Sequence, residues 1–396
     1  MSALTTETQS NDARSFAILV EPDTTNAGAR VFGLNSRERL ERSFTRSGLR
    51  TIDGGDLQSS SVERAIALCT SHFYDERLIA ALIERDDDVL LLVDSADGLP
   101  VAVGITGPAS KVEGWIPALQ AGTYSRASAE AAGMRVVGPT DLVSAYDAKL
   151  RKHAPPFVLS ADAGRGREAE KLIFGASYKG TTDFVTKWVW PLPARIVTRW
   201  CASLGIAPNT VTAVSYLLAV FTLLSFWQGS FEIGLASGWL MTFLDTVDGK
   251  LARVTLTSSK LGDVLDHGLD IIHPPLWWVA WAAGLAGPGM LFGPFEVWAW
   301  IVFVGYIVGR LLEGLFILVF GLEMFTWRRF DIGFRLVIAR RNPNLVLLSI
   351  ATLAGRPDLG LFAVGSWTLC CIAIQCVRIV QAAAAQLRGH EISPFT

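Results

Sequence analysis

The chain carries few charged side chains. Of its 396 residues, 18% are Asp, Glu, Lys or Arg and 51% are hydrophobic, whereas soluble domains average about 25% charged residues. It also lacks an excess of either sign, because the formal net charge is -2 at pH 7. The composition excludes a disordered chain, argues against a general nucleic-acid binder and indicates that part of the protein lies in a membrane.

Cysteine is scarce, and its spacing matches no zinc or redox pattern. The five cysteines are Cys69, Cys201, Cys370, Cys371 and Cys376. We interpret them as reduced packing residues rather than a disulfide framework. Residues 1–15 are polar and lack the apolar run of a signal peptide, so we expect them to be disordered and the N-terminal half to stay in the cytoplasm.

The charges divide the chain into two halves. Residues 1–175 hold 19 Lys+Arg and 24 Asp+Glu, a net of -5, and the remainder holds 16 and 13, a net of +3. The first half is typical of a soluble domain and the second of a membrane domain. We predict a cytoplasmic domain over 16–162, a linker with a juxtamembrane helix over 163–207, a membrane domain over 208–388 and a tail over 389–396.

Strand and helix signals alternate in the soluble half. An apolar run at 16–20 predicts a strand, and helical spacing predicts helices over 37–48 and 75–84. Apolar runs at 89–93 and 101–105 flank Asp97-Gly98, a good turn signal. Alternating strands and helices favour an α/β sandwich.

The linker intersperses basic and aromatic residues, which are Lys179, Lys187, Arg195, Arg199, Trp188, Trp190 and Trp200. Tryptophan and basic residues favour the depth of the lipid headgroups. We therefore expect a helix lying on the membrane surface, with an ordinary linker helix as the alternative.

Six apolar stretches follow, at about 208–228, 231–251, 264–286, 295–320, 343–355 and 358–384. The fifth is short for the ~20 residues that a span needs. With the N-terminus inside, the inner loops contain Arg253, Lys260, Arg328, Arg329, Arg335, Arg340 and Arg341, and the outer loops contain only Arg356. The positive-inside rule then favours six helices in the inner membrane with both termini cytoplasmic.

The most informative segment is 244–270, LDTVDGKLARVTLTSSKLGDVLDHGLD. Asp245, Asp248, Gly249 and Ala252 share one face of a helix at the inner end of the second stretch. Gly262, Asp266 and Asp270 share one face at the start of the third. Two membrane helices joined by an inner loop would present four carboxylates toward each other.

Four carboxylates beside a membrane are costly unless something neutralises them. Hard oxygen ligands suit Mg²⁺ or Mn²⁺ rather than zinc, and two such ions can clamp a pyrophosphate. Gly249 and Gly262 leave room for a nucleotide to approach the backbone, and Arg253 can neutralise phosphate charge. The alternative is a solvated acidic loop, which the register of the four aspartates disfavours.

The run from Asp245 to Asp270 has the form D-x2-D-G-x2-A-R-x8-G-x3-D-x3-D. It resembles the signature of the CDP-alcohol phosphotransferase family, with every defining position filled, and the resemblance covers about residues 200–388. Asn209 and Thr212, which open the first stretch, are similar to another feature of that family near its nucleotide site.

The resemblance implies six transmembrane helices, a homodimer and a site open to the cytoplasm. It implies that an alcohol hydroxyl attacks the β-phosphorus of a CDP-linked donor and releases CMP. By resemblance, Asp245, Asp248 and Asp266 bind metal, and Asp270 is the general base that also touches metal. Residues implied for the nucleotide pocket are Asn209, Thr212, Asp248, Gly249, Ala252, Arg253 and Gly262.

The fusion to a cytoplasmic α/β domain resembles bifunctional enzymes that make CDP-inositol and then di-inositol phosphate, whose soluble domain is a sugar-phosphate nucleotidyltransferase. Segments 31–48, 72–84 and 89–94 are similar to elements of that domain. The glycine-rich loop that would cradle a triphosphate is missing, because residues 21–30 read EPDTTNAGAR, with Gly28 and Arg30 as its remnant. We therefore expect a degenerate, non-catalytic domain, with an active transferase as the alternative.

Basic residues of the membrane half are candidates for binding the acceptor. Arg310 and Glu313, three residues apart in the fourth stretch, form either a structural ion pair or a functional group. The arginines of the inner loop, Arg335, Arg340 and Arg341, either bind an acceptor phosphate or only follow the positive-inside rule. We interpret His273 as a packing or polar-network residue.

We therefore expect a metal-dependent transferase whose donor is CDP-diacylglycerol or a CDP-alcohol such as CDP-inositol. The acceptor would be inositol, an inositol phosphate or glycerol phosphate. Two alternatives remain open, a cation-coupled transporter and a membrane-anchored nucleotidyltransferase. A transporter should show internal repeats and acidic residues near the bilayer midplane.

Overall fold

The computed structural model describes residues 15–23, 28–52, 63–95, 97–147, 150–258, 260–287 and 293–395. The side chains at 15, 260–267, 269 and 270 are outside this description. Most of the predicted disordered segment 1–15 also lies outside the described residues. The described chain forms two compact units, Met1–Asp147 with Ala154–Ala176, and Ala148–His153 with Ser177–Thr396.

The strands in chain order are β1 (Ser15–Val20), β2 (Arg50–Ile52), β3 (Arg64–Cys69), β4 (His72–Tyr74), β5 (Val89–Asp94), β6 (Pro100–Pro108), β7 (Arg135–Val137), β8 (Tyr146–Asp147), β9 (Lys152–His153) and β10 (Val158–Ser160). The helices are α1 (Ser36–Arg46), α2 (Glu76–Ile83), α3 (Ala109–Gln120), α4 (Arg126–Ala131), α5 (Pro139–Leu142), α6 (Gly166–Ala176), α7 (Pro191–Ser203), α8 (Pro208–Trp227), α9 (Phe231–Val254), α10 (Lys260–Ala286), α11 (Glu296–Phe320), α12 (Arg329–Arg335), α13 (Arg341–Leu353) and α14 (Pro357–Leu387).

The first unit is built on a six-stranded sheet of order β2-β1-β3-β6-β5-β7. β6 runs antiparallel to β3 and β5, and the other neighbours are parallel. β5 and β6 flank the predicted turn, where Gly98 has φ +74°, a conformation that glycine adopts without a steric penalty.

Both faces of the sheet are covered by helices. Ala17 and Ile66 face a cluster that includes Phe44 of α1 and Leu82 of α2, and the next residues along the strands face α3 and α4. This alternation follows from the two-residue period of a strand. The predicted α/β region with a sheet is confirmed, and its likeness to a nucleotidyltransferase stays a prediction.

The second unit is mostly helical, as predicted. The six longest apolar stretches of the sequence become α8, α9, α10, α11, α13 and α14. Among the described residues, three helical segments are long and apolar enough to cross a membrane, Pro208–Trp227, Gly293–Phe320 and Pro357–Leu387. α13 has 13 residues, or about 20 Å of helix, so it is shorter than a full span.

Small residues bring α8 and α9 close together. A Cβ atom on Gly234 would lie 2.4 Å from the ring of Phe226, and one on Gly238 would lie 3.3 Å from Thr222. The hydroxyls of Thr222 and Ser237 are 2.7 Å apart across the same contact. This close packing places the first turns of α8 beside the C-terminal half of α9.

Candidate active site

The first two aspartates of the motif lie one turn apart on α9. Asp248 is 3% exposed, and the side chain of Asp245 is 15% exposed. Their helix continues from the apolar segment that begins at Phe231. The motif therefore puts two carboxylates at the end of a largely apolar helix, where each needs a neighbour that offsets its charge.

Asp248 is held by α8. The hydroxyl of Thr212 donates a hydrogen bond to Oδ2 of Asp248 at 2.7 Å, and the backbone N–H of Gly249 donates to Oδ1 at 2.5 Å. Pro208 begins α8, a position where the missing N–H costs nothing. Asn209, in the same first turn, is exposed.

Asp245 is held from the other side by α13. Arg341, the first residue of that helix, forms a salt bridge with Oδ2 of Asp245. The second arm of the same guanidinium lies 3.3 Å from Nε2 of His273, a buried residue of α10. Arg341, predicted as an acceptor ligand, therefore lies at the aspartate pair and joins α9, α10 and α13.

Arg253 lies against the glycine of the motif. A Cβ atom on Gly249 would be 3.2 Å from Nη2 of Arg253. Any larger residue at position 249 would therefore require the guanidinium to shift slightly. Nε of Arg253 donates to the backbone oxygen of Ser177 at 3.1 Å. Ala252 is half-buried next to it. The exposed guanidinium is thus fixed at the C-terminal end of α9.

The remaining motif residues belong to α10. Gly262, Asp266 and Asp270 are spaced by four along this helix, which places them on one face of it. The predicted roles of the Asp266 and Asp270 side chains lie outside the described residues. Among the described side chains, no group of three or more His, Cys, Asp or Glu could hold a metal ion.

A second charged cluster involves Glu313 of α11. Its Oε2 atom pairs with Nη1 of Arg310 at 2.9 Å and with Nη2 of Arg340. Gln375 of α14 lies 3.5 Å from the other carboxylate oxygen. One carboxylate therefore faces two arginines, and the Arg310–Glu313 pair predicted from the sequence is part of a larger network.

Arg335 ends α12 beside this cluster. Its Nη1 atom and the Nε atom of Arg340 are buried and have no hydrogen-bond partner among the described residues. Burial, together with the charge of Arg340, lowers the pKa of Arg335 to about 9, although Asp183 and Glu313 act in the opposite direction. The cluster carries more positive charge than its own carboxylates offset.

Two aspartates, the threonine that binds one of them and an arginine that lies against Gly249 are thus found at one end of α9. They belong to the motif whose spacing resembles a family signature. Residues 205–330 match the CDP-alcohol phosphatidyltransferase family model. The predicted resemblance is confirmed for this segment, which contains the whole aspartate motif and Thr212.

Several curated proteins are similar to part of this chain. A protein named bifunctional IPC transferase and DIPP synthase from Thermococcus kodakarensis is 30% identical over 142 residues, 32% of this chain and 32% of its own length. An archaetidylinositol phosphate synthase from Pyrococcus horikoshii is 36% identical over 81 residues, 20% of this chain and 42% of its own. A phosphatidylinositol phosphate synthase from Streptomyces avermitilis is 30% identical over 138 residues, 34% of this chain and 49% of its own.

The chain matches less than half of the length of each of these relatives. The similarity therefore identifies a CDP-alcohol phosphatidyltransferase segment and leaves the activity of the whole chain to be proposed.

Sequence reasoning missed two neighbours of this segment. Lys250, inside the motif, is 5% exposed and its Nζ atom lies 3.9 Å from the centre of the Tyr178 ring. Asn342, which follows Arg341, donates to Oδ1 of Asp183 at 3.0 Å. A lysine within an apolar stretch predicted to cross the membrane was the available signal for the first, and nothing in the sequence pointed to Tyr178 or Asp183 as partners.

Proposed function

We propose that the protein is a membrane-embedded transferase that moves a substituted phosphate group from a CDP-linked donor to an alcohol, with release of CMP. The observation that carries the proposal is the aspartate pair on α9, held by Thr212 and Arg341 within the segment that matches the family model. The names of the relatives, which are synthases and a transferase, support the same reaction class.

The residues of the site fit a divalent cation. Asp245 and Asp248 offer hard oxygen atoms at one end of a helix, and we propose Asp266 and Asp270 on α10 as the further ligands of two Mg²⁺ or Mn²⁺ ions. The hydrogen bond from Thr212 fixes Oδ2 of Asp248, which orients the carboxylate. Bound ions would neutralise the diphosphate of the donor and stabilise charge on the leaving group.

The chain's own residues would position the two substrates. Arg253, fixed by Ser177 against Gly249, would bind the donor diphosphate, and Asn209, Thr212, Ala252 and Gly262 would line the nucleotide pocket. Asp270 would accept the proton of the acceptor hydroxyl while the oxygen of that hydroxyl forms a bond to the β-phosphorus of the donor. The bond from that phosphorus to the bridging oxygen would break, and CMP would leave with the bridging oxygen.

The arginine cluster favours an acceptor that carries a negative group. Arg335 and Arg340 each have a buried N–H without a partner among the described residues, and burying such a donor unpaired is unfavourable. A phosphate on the acceptor would accept these hydrogen bonds. Arg310, which shares Glu313 with Arg340, and Arg341, the residue after Arg340, would add positive charge. We favour an inositol phosphate because two relatives are named as synthases of inositol phosphate lipids.

We further propose that α8, α9, α10, α11 and α14 span the inner membrane and that α13 makes the sixth crossing together with the residues that flank it. Both termini would be cytoplasmic, and the protein would be a homodimer. Trp188, Leu192, Trp200 and Leu204 are exposed on and beside α7, which supports an interfacial position for this helix. The first unit would be a degenerate nucleotidyltransferase-like domain, because Arg30, the remnant of the missing loop, pairs with Glu38 and Glu21 pairs with Arg37.

The test is CMP release by the purified protein in detergent with Mg²⁺. CDP-diacylglycerol and CDP-inositol would each be combined with inositol, inositol phosphate and glycerol phosphate. We expect release with one pair, and no release when Asp248 is replaced by Asn in a variant that remains folded. CMP release by the Asp248→Asn variant at the unchanged rate would remove the aspartate pair from the mechanism, and a folded protein that binds no CDP would contradict the transferase assignment.

A further inference from the structure

A buried lysine lies inside the motif, at a position to which the proposed reaction gives no role. Lys250 follows Gly249 on α9 and is 5% exposed. Its Nζ atom lies 3.9 Å from the centre of the Tyr178 ring, well within the ~6 Å of a cation–π contact. The contact with the aromatic face fixes the position of this buried amino group.

The chain on either side of Tyr178 holds a second cation of the same helix. The backbone oxygen of Ser177 accepts the hydrogen bond from Nε of Arg253 at 3.1 Å. Lys250 and Arg253 are three residues apart, so they share one face of α9. Ser177 and Tyr178 together form what we call the clamp, two successive residues that each hold one cation of the motif.

The charges around Lys250 are mostly of its own sign. Arg253, Lys179 and Lys152 lie close enough to repel its ammonium, and Asp245 attracts it. Such a group of cations is unfavourable without an anion, and its field is strong where water is largely excluded. Burial raises the pKa of the Tyr178 phenol while Arg253 lowers it in part, so this side chain adds no negative charge at neutral pH.

We propose that the clamp positions Lys250 and Arg253 so that their joint charge attracts the diphosphate of the donor, and that Tyr178 thereby sets the affinity for the donor. Tyr178 acts through Lys250 and is a positioning residue. The inference rests on the proposed transferase function, because a CDP-linked donor supplies the diphosphate. Ser177 directly follows the last residue of the first unit, so the clamp is also where the chain enters the main segment of the second unit.

The test compares the binding of CDP and of CMP to the full-length protein, measured by calorimetry in detergent with Mg²⁺. Tyr178→Leu removes the aromatic face and keeps an apolar side chain, and we expect it to weaken CDP binding about tenfold. CMP has one phosphate fewer, so its affinity should change much less. Tyr178→Phe keeps the ring and is the matched control, with CDP affinity within about twofold of the original protein.

Lys250→Met provides an independent variant if Tyr178→Leu fails to fold. It should weaken CDP binding by the same factor, Lys250→Arg should retain most of the affinity, and the double variant Tyr178→Leu/Lys250→Met should be no weaker than either single change. Thermal unfolding midpoints would show that each variant remains folded. A ring that acts only on stability would lower the midpoint without changing the ratio of CDP to CMP affinity.

The outcomes separate this inference from the proposed function. If the original protein binds CDP and releases CMP, and the variants Tyr178→Leu and Lys250→Met bind CDP equally well, the proposed role of the clamp is overturned. The transferase function would stand. Equal loss of CDP and CMP affinity would also overturn it, because the diphosphate would not be the group recognised. Failure of the original protein to bind CDP would overturn the transferase function and the clamp together.

Discussion

Two buried carboxylates of the second unit are held in different ways, and the difference separates structural from functional charge. Asp331 and Arg378 are 1% and 8% exposed and pair through two hydrogen bonds of 2.6 and 2.7 Å, which satisfies both groups. Asp248 accepts a hydrogen bond from the neutral hydroxyl of Thr212, and this donor orients the carboxylate without itself adding a positive charge. A carboxylate held in this way is oriented and still able to bind a cation.

This difference predicts the effect of removing the hydroxyl of Thr212. Thr212→Val keeps the shape of the side chain and deprives buried Asp248 of a donor, so we expect a loss of about 1.5–3 kcal/mol of stability in metal-free protein. Thermal or detergent-induced unfolding in the presence of EDTA would measure it. Thr212→Ser retains the donor and should stay within about 0.5 kcal/mol, and a valine variant as stable as the serine variant would mean that the hydrogen bond does not hold Asp248.

At this scale the sequence predicted which residues matter and not which residues they touch. The motif was visible because the positions from Asp245 to Asp270 follow the helical repeat over a short stretch. The partners of those residues are remote in sequence: Arg341 is 96 residues from Asp245, and Ser177 is 76 from Arg253. Spacing along one helix contains no information on such pairs, because they depend on how separate elements pack.

The contact between α10 and α8 depends on a glycine that faces backbone rather than a flexible side chain. A Cβ atom on Gly284 of α10 would lie 2.0 Å from the backbone oxygen of Phe226 and 2.9 Å from the backbone nitrogen of Gly229. Backbone atoms at the end of α8 cannot move away without breaking its last turn. The approach of α10 to α8 therefore requires glycine at this position.

Gly284→Ala should destabilise the protein by about 1–3 kcal/mol or more, because the added methyl group overpacks a contact between two backbones. Gly314→Ala on α11 is the matched control, since a Cβ atom there has no neighbour within 4 Å, and it should be neutral or stabilising by up to about 1 kcal/mol. Unfolding midpoints of the two variants in the same detergent would test this. Similar midpoints for both would show that the helices separate easily at Gly284.

The helices themselves were predictable, and the inner loop between the fourth and fifth stretches was not. Long apolar runs gave the positions of α8 to α11 and of α14 to within a few residues, because each run is longer than any strand. Residues 321–342 were predicted only as a basic loop, yet they contain α12. Phe325, Trp327 and Phe334 of this segment are buried in a cluster with α11 and α14, and such tertiary burial leaves no periodic signal in a segment with so many arginines.

At the scale of the whole molecule, the distribution of charge is the observation that bears on orientation. Five arginines occur in 321–342, and Arg356 alone occurs in the predicted outer loops. Arg356 pairs with Asp358 at 2.7 Å, so the predicted outer loops have little net positive charge. Since lysine and arginine in short loops are retained on the cytoplasmic side, the loop that contains α12 should be cytoplasmic and the turn before α14 should be external.

Single cysteines would test this orientation in cells. Arg356→Cys places a thiol in the predicted outer turn and Arg329→Cys places one on the exposed first residue of α12, so a membrane-impermeant maleimide should label the first in intact cells and the second only after lysis. The unsubstituted chain is the control for the native cysteines, of which Cys370 and Cys376 are exposed on α14. Labelling of Arg329→Cys in intact cells would show that the orientation is opposite to the predicted one. The aspartate pair would then face away from a cytoplasmic nucleotide donor.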